Sequence, residues 1–218
     1  MKTKKTVYFI LMYLPLVVTL VALQYLPDKI PAHYGFDNQV TRWGSKYEAL
    51  LYPIATVLMG YFLLVMSRVA AKQEEHGENN KKIIIVTGIL VLILFNVVNG
   101  YSLYTDFNKV ENLSSLPLDI NQLIFGIVGV LMIVTGNIMP KLRMNSIMGL
   151  RTHWSMKNEV TWKKCQRMGG ISFIVGGIII IGVCIVLKGI SCLVSVLGIG
   201  VMLIVIDCFF TYRIAERN

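Results

Sequence analysis

The sequence predicts an all-α integral membrane protein with six transmembrane helices and both termini in the cytoplasm. Three observations carry this. Of 218 residues, 55% are hydrophobic and only 15% charged, against about 25% charged in soluble domains. There is too little polar side chain to coat a globule, so the helices are solvated by lipid. Six apolar stretches each suffice to cross about 30 Å of hydrocarbon at about 1.5 Å per residue. Sixteen of the 21 Lys and Arg fall in the chain ends and in the second and fourth connections, which places those segments inside.

The stretches are 6–26, 48–68, 83–105, 117–139, 171–187 and 190–212, all in one membrane domain, 1–218. The first follows Lys2, Lys4 and Lys5 and imitates a secretory signal. It is longer than the roughly 7–15 apolar residues of a signal, and Pro27-Asp28-Lys29 follows in place of a small-x-small site, so it reads as a retained helix. The last two are separated by Lys188-Gly189 alone, which reads as a tight hairpin. Gly126, Gly129, Gly176, Gly177, Gly182, Gly198 and Gly200 predict close packing among helices four to six.

The outer segments pair five basic residues with six acids, Asp28, Asp37, Glu48, Asp106, Glu111 and Asp119, so all of the net +9 belongs to the inner face. That face should attract anionic lipid or an acidic partner. Topology accounts for the excess, so no direct nucleic-acid binding is expected. Cys165, Cys184, Cys192 and Cys208 form no C-x-x-C pair and read as small buried apolar residues. No metal site or cofactor is expected. The chain lacks H-E-x-x-H, paired intramembrane carboxylates and a Ser/His arrangement, so it does not read as an enzyme.

Within the bilayer, Asp207 is a functional candidate by its charge, or else the partner of Arg68 or of a loop arginine. Asn96 and Asn99, spaced i,i+3, read as interhelical glue before a substrate site.

Two loops hold the remaining information. The outer loop, 27–47, has two prolines and two glycines and reads as turn-rich. Its Tyr34, Phe36 and Trp43 suit the headgroup layer. Pro27, Asp28, Pro31, His33 and Trp43 form a possible external docking surface. His33 lies near Asp28 and Asp37 in sequence, without metal-ligand spacing. The cytoplasmic loop, 140–170, holds seven basic residues. Ser155 is the expected N-cap of a short helix over 156–168, with Glu159 and Lys163 paired i,i+4. Trp154 and Trp162 are expected to float this helix in the interface, with Lys163, Lys164 and Arg167 reaching phosphates. Pro27, Arg42, Trp43, Ser45 and Lys46 of the first loop loosely parallel Pro140, Arg151, Trp154, Ser155 and Lys157 of the second, as two inverted three-helix repeats would.

The second loop also carries a family pattern. Gly136, Asn137, Pro140, Lys141, Asn145, Gly149, Arg151, Thr152, Trp154, Ser155, Asn158, Glu159, Trp162, Arg167, Gly169 and Gly170 resemble the motif of the SdpI family of membrane immunity proteins. The outer loop, with L-P-D-x-I-P-x-H over Leu26–His33 and then Gly44-Ser45-Lys46, looks like the module often found N-terminal to it. His153 departs from the pattern, standing where the family usually has proline. The resemblance implies a multi-pass protein of the bacterial cell membrane that protects against a secreted sporulation-delaying peptide toxin. It also implies a sensor that retains a cytoplasmic transcriptional repressor at the membrane. The alternatives are a small-molecule transporter using Asp207, Asn96 and Asn99, and a lipid-headgroup-acting protein gripping phosphate with the cytoplasmic loop.

Overall fold

A computed structural model of the chain describes residues 2–73, 77–145 and 148–217. Its helices are α1 (Lys2–Ala22), α2 (Leu51–Gln73), α3 (Gly77–Asn108), α4 (Ile120–Ile138), α5 (Glu159–Val186) and α6 (Gly189–Glu216). All six are long and apolar enough to cross a membrane. Val17, Leu58, Val175, Ile185 and Ile204 project outward from them, exposed. Such a belt is stable only against lipid, and the chain is a multi-pass membrane protein.

The helices pack three and three. In the first set, the Tyr8 hydroxyl donates to Gly60 O at 2.7 Å, joining α1 to α2. Asn96 Nδ2 donates to Leu11 O at 2.8 Å, and Asn99 bonds Thr19 Oγ1 at 3.3 Å, so both asparagines tie α3 to α1. In the second set, a Cβ on Gly136 would stand 2.5 Å from Gly170 O, and one on Gly177 2.5 Å from Gly129 O. These two contacts bring the α4 and α5 backbones together along one seam, as small residues allow between membrane helices. Gly126, Gly182, Gly198 and Gly200 lie outside it, with nothing within 4 Å of a Cβ.

Neighbouring helices alternate in direction. The two chain ends and the α4–α5 connection therefore share one end of the bundle, the terminal end. The α1–α2, α3–α4 and α5–α6 connections share the other.

Two local features depart from expectation. The 27–47 loop contains an antiparallel hairpin, β1 (Lys29–Tyr34) and β2 (Val40–Ser45), pairing Lys29 with Ser45 and Ile30 with Gly44. Pro31 cannot donate to the ladder, and the register turns irregular between Pro31 and Tyr34, which hides the strands from any alternation pattern. Ile30 anchors the hairpin in a cluster with Ala22, Leu26, Ala49 and Leu103. The other departure is α5, which starts at Glu159 and runs unbroken through Gly169 and Gly170. The expected surface helix over 156–168 is the first part of a spanning helix. Glycine costs helix propensity, but here Met139, Leu150 and the Gly136 carbonyl fill the space a side chain would take.

Candidate functional site

The motif residues converge on the terminal end, in the connection between α4 and α5. Pro140 ends α4 in a single 3-10 turn, Met139–Lys141. The chain then crosses over α5 and is held there largely by side chains. Trp162 Nε1 donates to Leu142 O at 3.0 Å. Asn145 is buried; its Oδ1 accepts from Met148 N at 2.7 Å and its Nδ2 donates to Arg143 O at 2.8 Å. Gly149 sits at φ +101°, and a Cβ there would lie 2.5 Å from Gln166 Oε1. Gln166 grips the next residue at both ends, accepting from Leu150 N at 3.0 Å and donating to Leu150 O at 2.9 Å.

Thr152 and Ser155 close a turn on each other. Ser155 Oγ accepts from Thr152 N at 2.8 Å and donates to Leu150 O at 2.9 Å, while Ser155 N donates to Thr152 Oγ1 at 3.0 Å. Ser155 is thereby consumed, and the cap of α5 is Asn158, whose Oδ1 accepts from Thr161 N at 2.8 Å. Glu159 opens the helix, where its charge suits the helix dipole, and lies 3.8 Å from Lys163. Trp162 is only 1% exposed, a core residue and not an interfacial float. Trp154 is exposed and meets Tyr212 of α6 edge-on at 5.6 Å.

Held in this way, the connection forms one wall of a groove of about 900 Å³. Arg151, Thr152, His153, Trp154, Met156 and Lys157 face Tyr212, Ala215 and Glu216 of α6 across it. Lys157 Nζ donates to Ala215 O at 3.0 Å, fastening the loop to the end of α6. Of the motif residues, Arg151 and Trp154 are exposed on the groove, beside the exposed His153, while Asn137, Pro140, Lys141, Gly149, Glu159 and Arg167 are exposed elsewhere. Guanidinium, imidazole and two aromatic rings together suit an anionic or aromatic group, such as an acidic peptide segment or a phosphate.

Asp207 does not meet Arg68, which lines a separate crevice with Lys5 and Tyr8. It is buried in α6 beside Ser172 of α5, and among the described residues its Oδ1 has no hydrogen-bond partner.

At the opposite end the hairpin residues are dispersed. Asp28 pairs with Lys46 at 3.0 Å, Trp43 and His33 are exposed, Pro27 is half-buried and Pro31 is buried. His33 Nδ1 lies 2.5 Å from Thr41 Oγ1. Among the described residues no three of His, Cys, Asp and Glu converge as for a metal. Tyr34 donates to Val110 O at 2.8 Å, and burial pushes its phenol up to about 12.

Sequence reasoning counted Asp119 only as an outer charge. It is fully buried and joins three elements. Its Oδ1 caps α4, accepting from Gln122 N at 2.9 Å. Its Oδ2 accepts from Gly189 N at 2.5 Å and from Asn38 Nδ2 at 3.3 Å. The capping box Asp119–Gln122 was the available signal.

Six spanning helices and a folded, basic, groove-forming connection define a multi-pass membrane protein with a groove at its terminal end. Residues 141–209 match the model of the SdpI/YfhL protein family. Residues 10–57 match a domain of unknown function, DUF1648. A similar curated protein is the immunity protein SdpI of Bacillus subtilis (strain 168), 27% identical over 179 residues, which are 81% of this chain and 79% of that protein. No solved structure matches the chain.

Proposed function

We propose that the protein is an immunity protein that protects the cell membrane against a secreted peptide toxin. The observation that carries this is the likeness to an immunity protein over 81% of the chain. In this reading both chain ends lie in the cytoplasm, consistent with the positive-inside bias, and the hairpin end meets the toxin. The groove around Arg151, Trp154 and Lys157 is the reporting surface, where a cytoplasmic repressor docks through an acidic segment. Most motif residues build this surface, and a few present it.

The test is survival. The protein is expressed in a toxin-sensitive bacterium lacking its own immunity gene, the sporulation-delaying peptide is added, and membrane potential and viability are followed. The wild type is expected to protect. Arg151→Ala, inserted to the same level, is expected to lose repressor retention, read by membrane fractionation with toxin present. Failure of correctly inserted wild type to protect overturns the immunity reading. Undiminished retention by the variant removes the groove from signalling.

A further inference from the structure

A second cavity, of about 620 Å³, lies at the other end of the bundle beneath the hairpin. Its walls are mostly apolar, including Ile30, Pro31, Val98 and Leu113. On one side it is bounded by Leu51, Tyr52 and Ala55 of α2, all exposed, so its mouth faces lipid near the membrane surface. Asp106 of α3 also lines it. This carboxylate is 2% exposed, and among the described residues its Oδ2 has no hydrogen-bond partner.

The Ser102 hydroxyl lies beside Asp106, and most other polar groups of the cavity are already engaged. Thr105 Oγ1 donates to Ser102 O at 2.7 Å. The hydroxyls of Tyr34 and Tyr101 donate to Val110 O and Leu118 O at 2.8 and 3.0 Å. Glu48 is clamped by Arg42, at 2.7 Å and 3.1 Å, and by Ser45 N. No Lys or Arg is among the residues lining the cavity. His33 is its one basic group, and its Nδ1 is occupied by Thr41. A buried carboxylate without a counter-ion is costly. Three tyrosine rings, from Tyr34, Tyr52 and Tyr101, stand in the same cavity, and aromatic rings attract cations.

We infer that this cavity binds a primary ammonium group carried on an apolar chain, with Asp106 as its counter-ion and the tyrosines around it. The volume far exceeds an ammonium, and the apolar walls take the chain that bears it. A lipid amino headgroup and a peptide amine share this chemistry. The inference is independent of the immunity reading and uses none of the groove residues.

The experiment uses full-length protein in phosphatidylcholine nanodiscs, titrated calorimetrically with n-hexylammonium and, separately, with hexan-1-ol. Wild type is expected to bind hexylammonium saturably. Asp106→Asn, which keeps the shape and removes the charge, is expected to bind it about tenfold more weakly or worse. Ala55→Phe, which keeps the carboxylate and fills the mouth, is expected to lose it too. Hexan-1-ol should bind wild type and Asp106→Asn alike. Equal hexylammonium affinity in wild type and Asp106→Asn overturns the inference, as does hexan-1-ol binding as tightly as hexylammonium. If Asp106→Asn does not fold, undiminished binding by Ala55→Phe overturns it. Competition by phosphatidylethanolamine in the nanodisc assigns the site to lipid, and competition by a soluble lysine-containing peptide assigns it to a peptide amine.

Discussion

The two connections that cover the ends of this bundle have similar sequence ingredients and are held by different bonds. The hairpin at one end is organised by its own backbone ladder, with Ile30 as an apolar foot. The α4–α5 connection at the other end pairs with no strand among the described residues; Trp162, Gln166, Asn145 and Ser155 supply its bonds from side chains. A ladder tolerates changes in exposed side chains, because each bond belongs to the main chain. A loop held by side chains fails one residue at a time. The loose parallel between Pro27, Arg42 and Trp43 and Pro140, Arg151 and Trp154 therefore does not extend to local structure.

The largest effect is expected beneath the second connection. Gly170→Leu would drive a side chain into the Gly136 carbonyl, where even a Cβ stands 2.6 Å away. Overpacking costs about 1–3 kcal/mol in ordinary cores, and a backbone obstacle cannot rotate aside. The variant should lose most of its folded fraction in detergent, followed by size-exclusion profile and thermal midpoint. A near-normal midpoint would mean that the connection does not depend on the α4–α5 seam.

Asp119→Ala comes next and probes the hairpin end. It removes the α4 cap, worth about 1 kcal/mol, and strands the part-buried Gly189 N–H, at about 1–3 kcal/mol, while the Asn38 amide keeps Ser114. Differential scanning should show a drop of that combined order, with faster proteolysis near Gly189. A drop no larger than a simple cap would show that the hairpin is seated by its ladder and Ile30 alone.

Gln166→Leu keeps much of the volume and removes both hydrogen bonds to Leu150. It leaves Leu150 N–H without its partner, at about 1–3 kcal/mol, while Leu150 O keeps Ser155. Amide hydrogen exchange should rise over 148–157 and stay unchanged in the hairpin. Uniform acceleration would break the comparison by showing that the two ends unfold together.

What could be read in advance divides along the same line. Spanning helices declare themselves by apolar length, so all six were legible. Features that depend on which partner wins were not. Ser155 and Asn158 are both good caps, and only the fold shows that Ser155 is spent on Leu150 and Thr152. Trp162 resembles an interfacial residue by composition, yet it is buried because Leu142 O crosses above it. Asp106 counted as one more outer charge, because nothing in a single acid near the end of a helix reveals that the hairpin closes over it. Pro31 disguised a strand by breaking the alternation that would have marked it.

The smallest effect is expected for Arg42→Ala. Arg42 reaches Glu48 through two bonds, at 2.7 and 3.1 Å, the most regular ion pair in the hairpin. The Glu48 hydrogen bond and charge raise the Arg42 pKa above its ordinary range. Both facts describe contact, and neither implies much stability. The arginine side chain is 55% exposed, water solvates it equally well when unpaired, and holding two long side chains in one geometry costs entropy. Glu48 keeps its bond from Ser45 N, and so its half of the capping box, after the arginine is gone. The thermal midpoint should stay within measurement error of wild type, in low salt and high salt alike, and hairpin amide protection should persist. A loss as large as that of Gln166→Leu, narrowing in high salt as the wild type falls toward the variant, would mean that side chains hold the hairpin too, and the contrast between the two ends would fall.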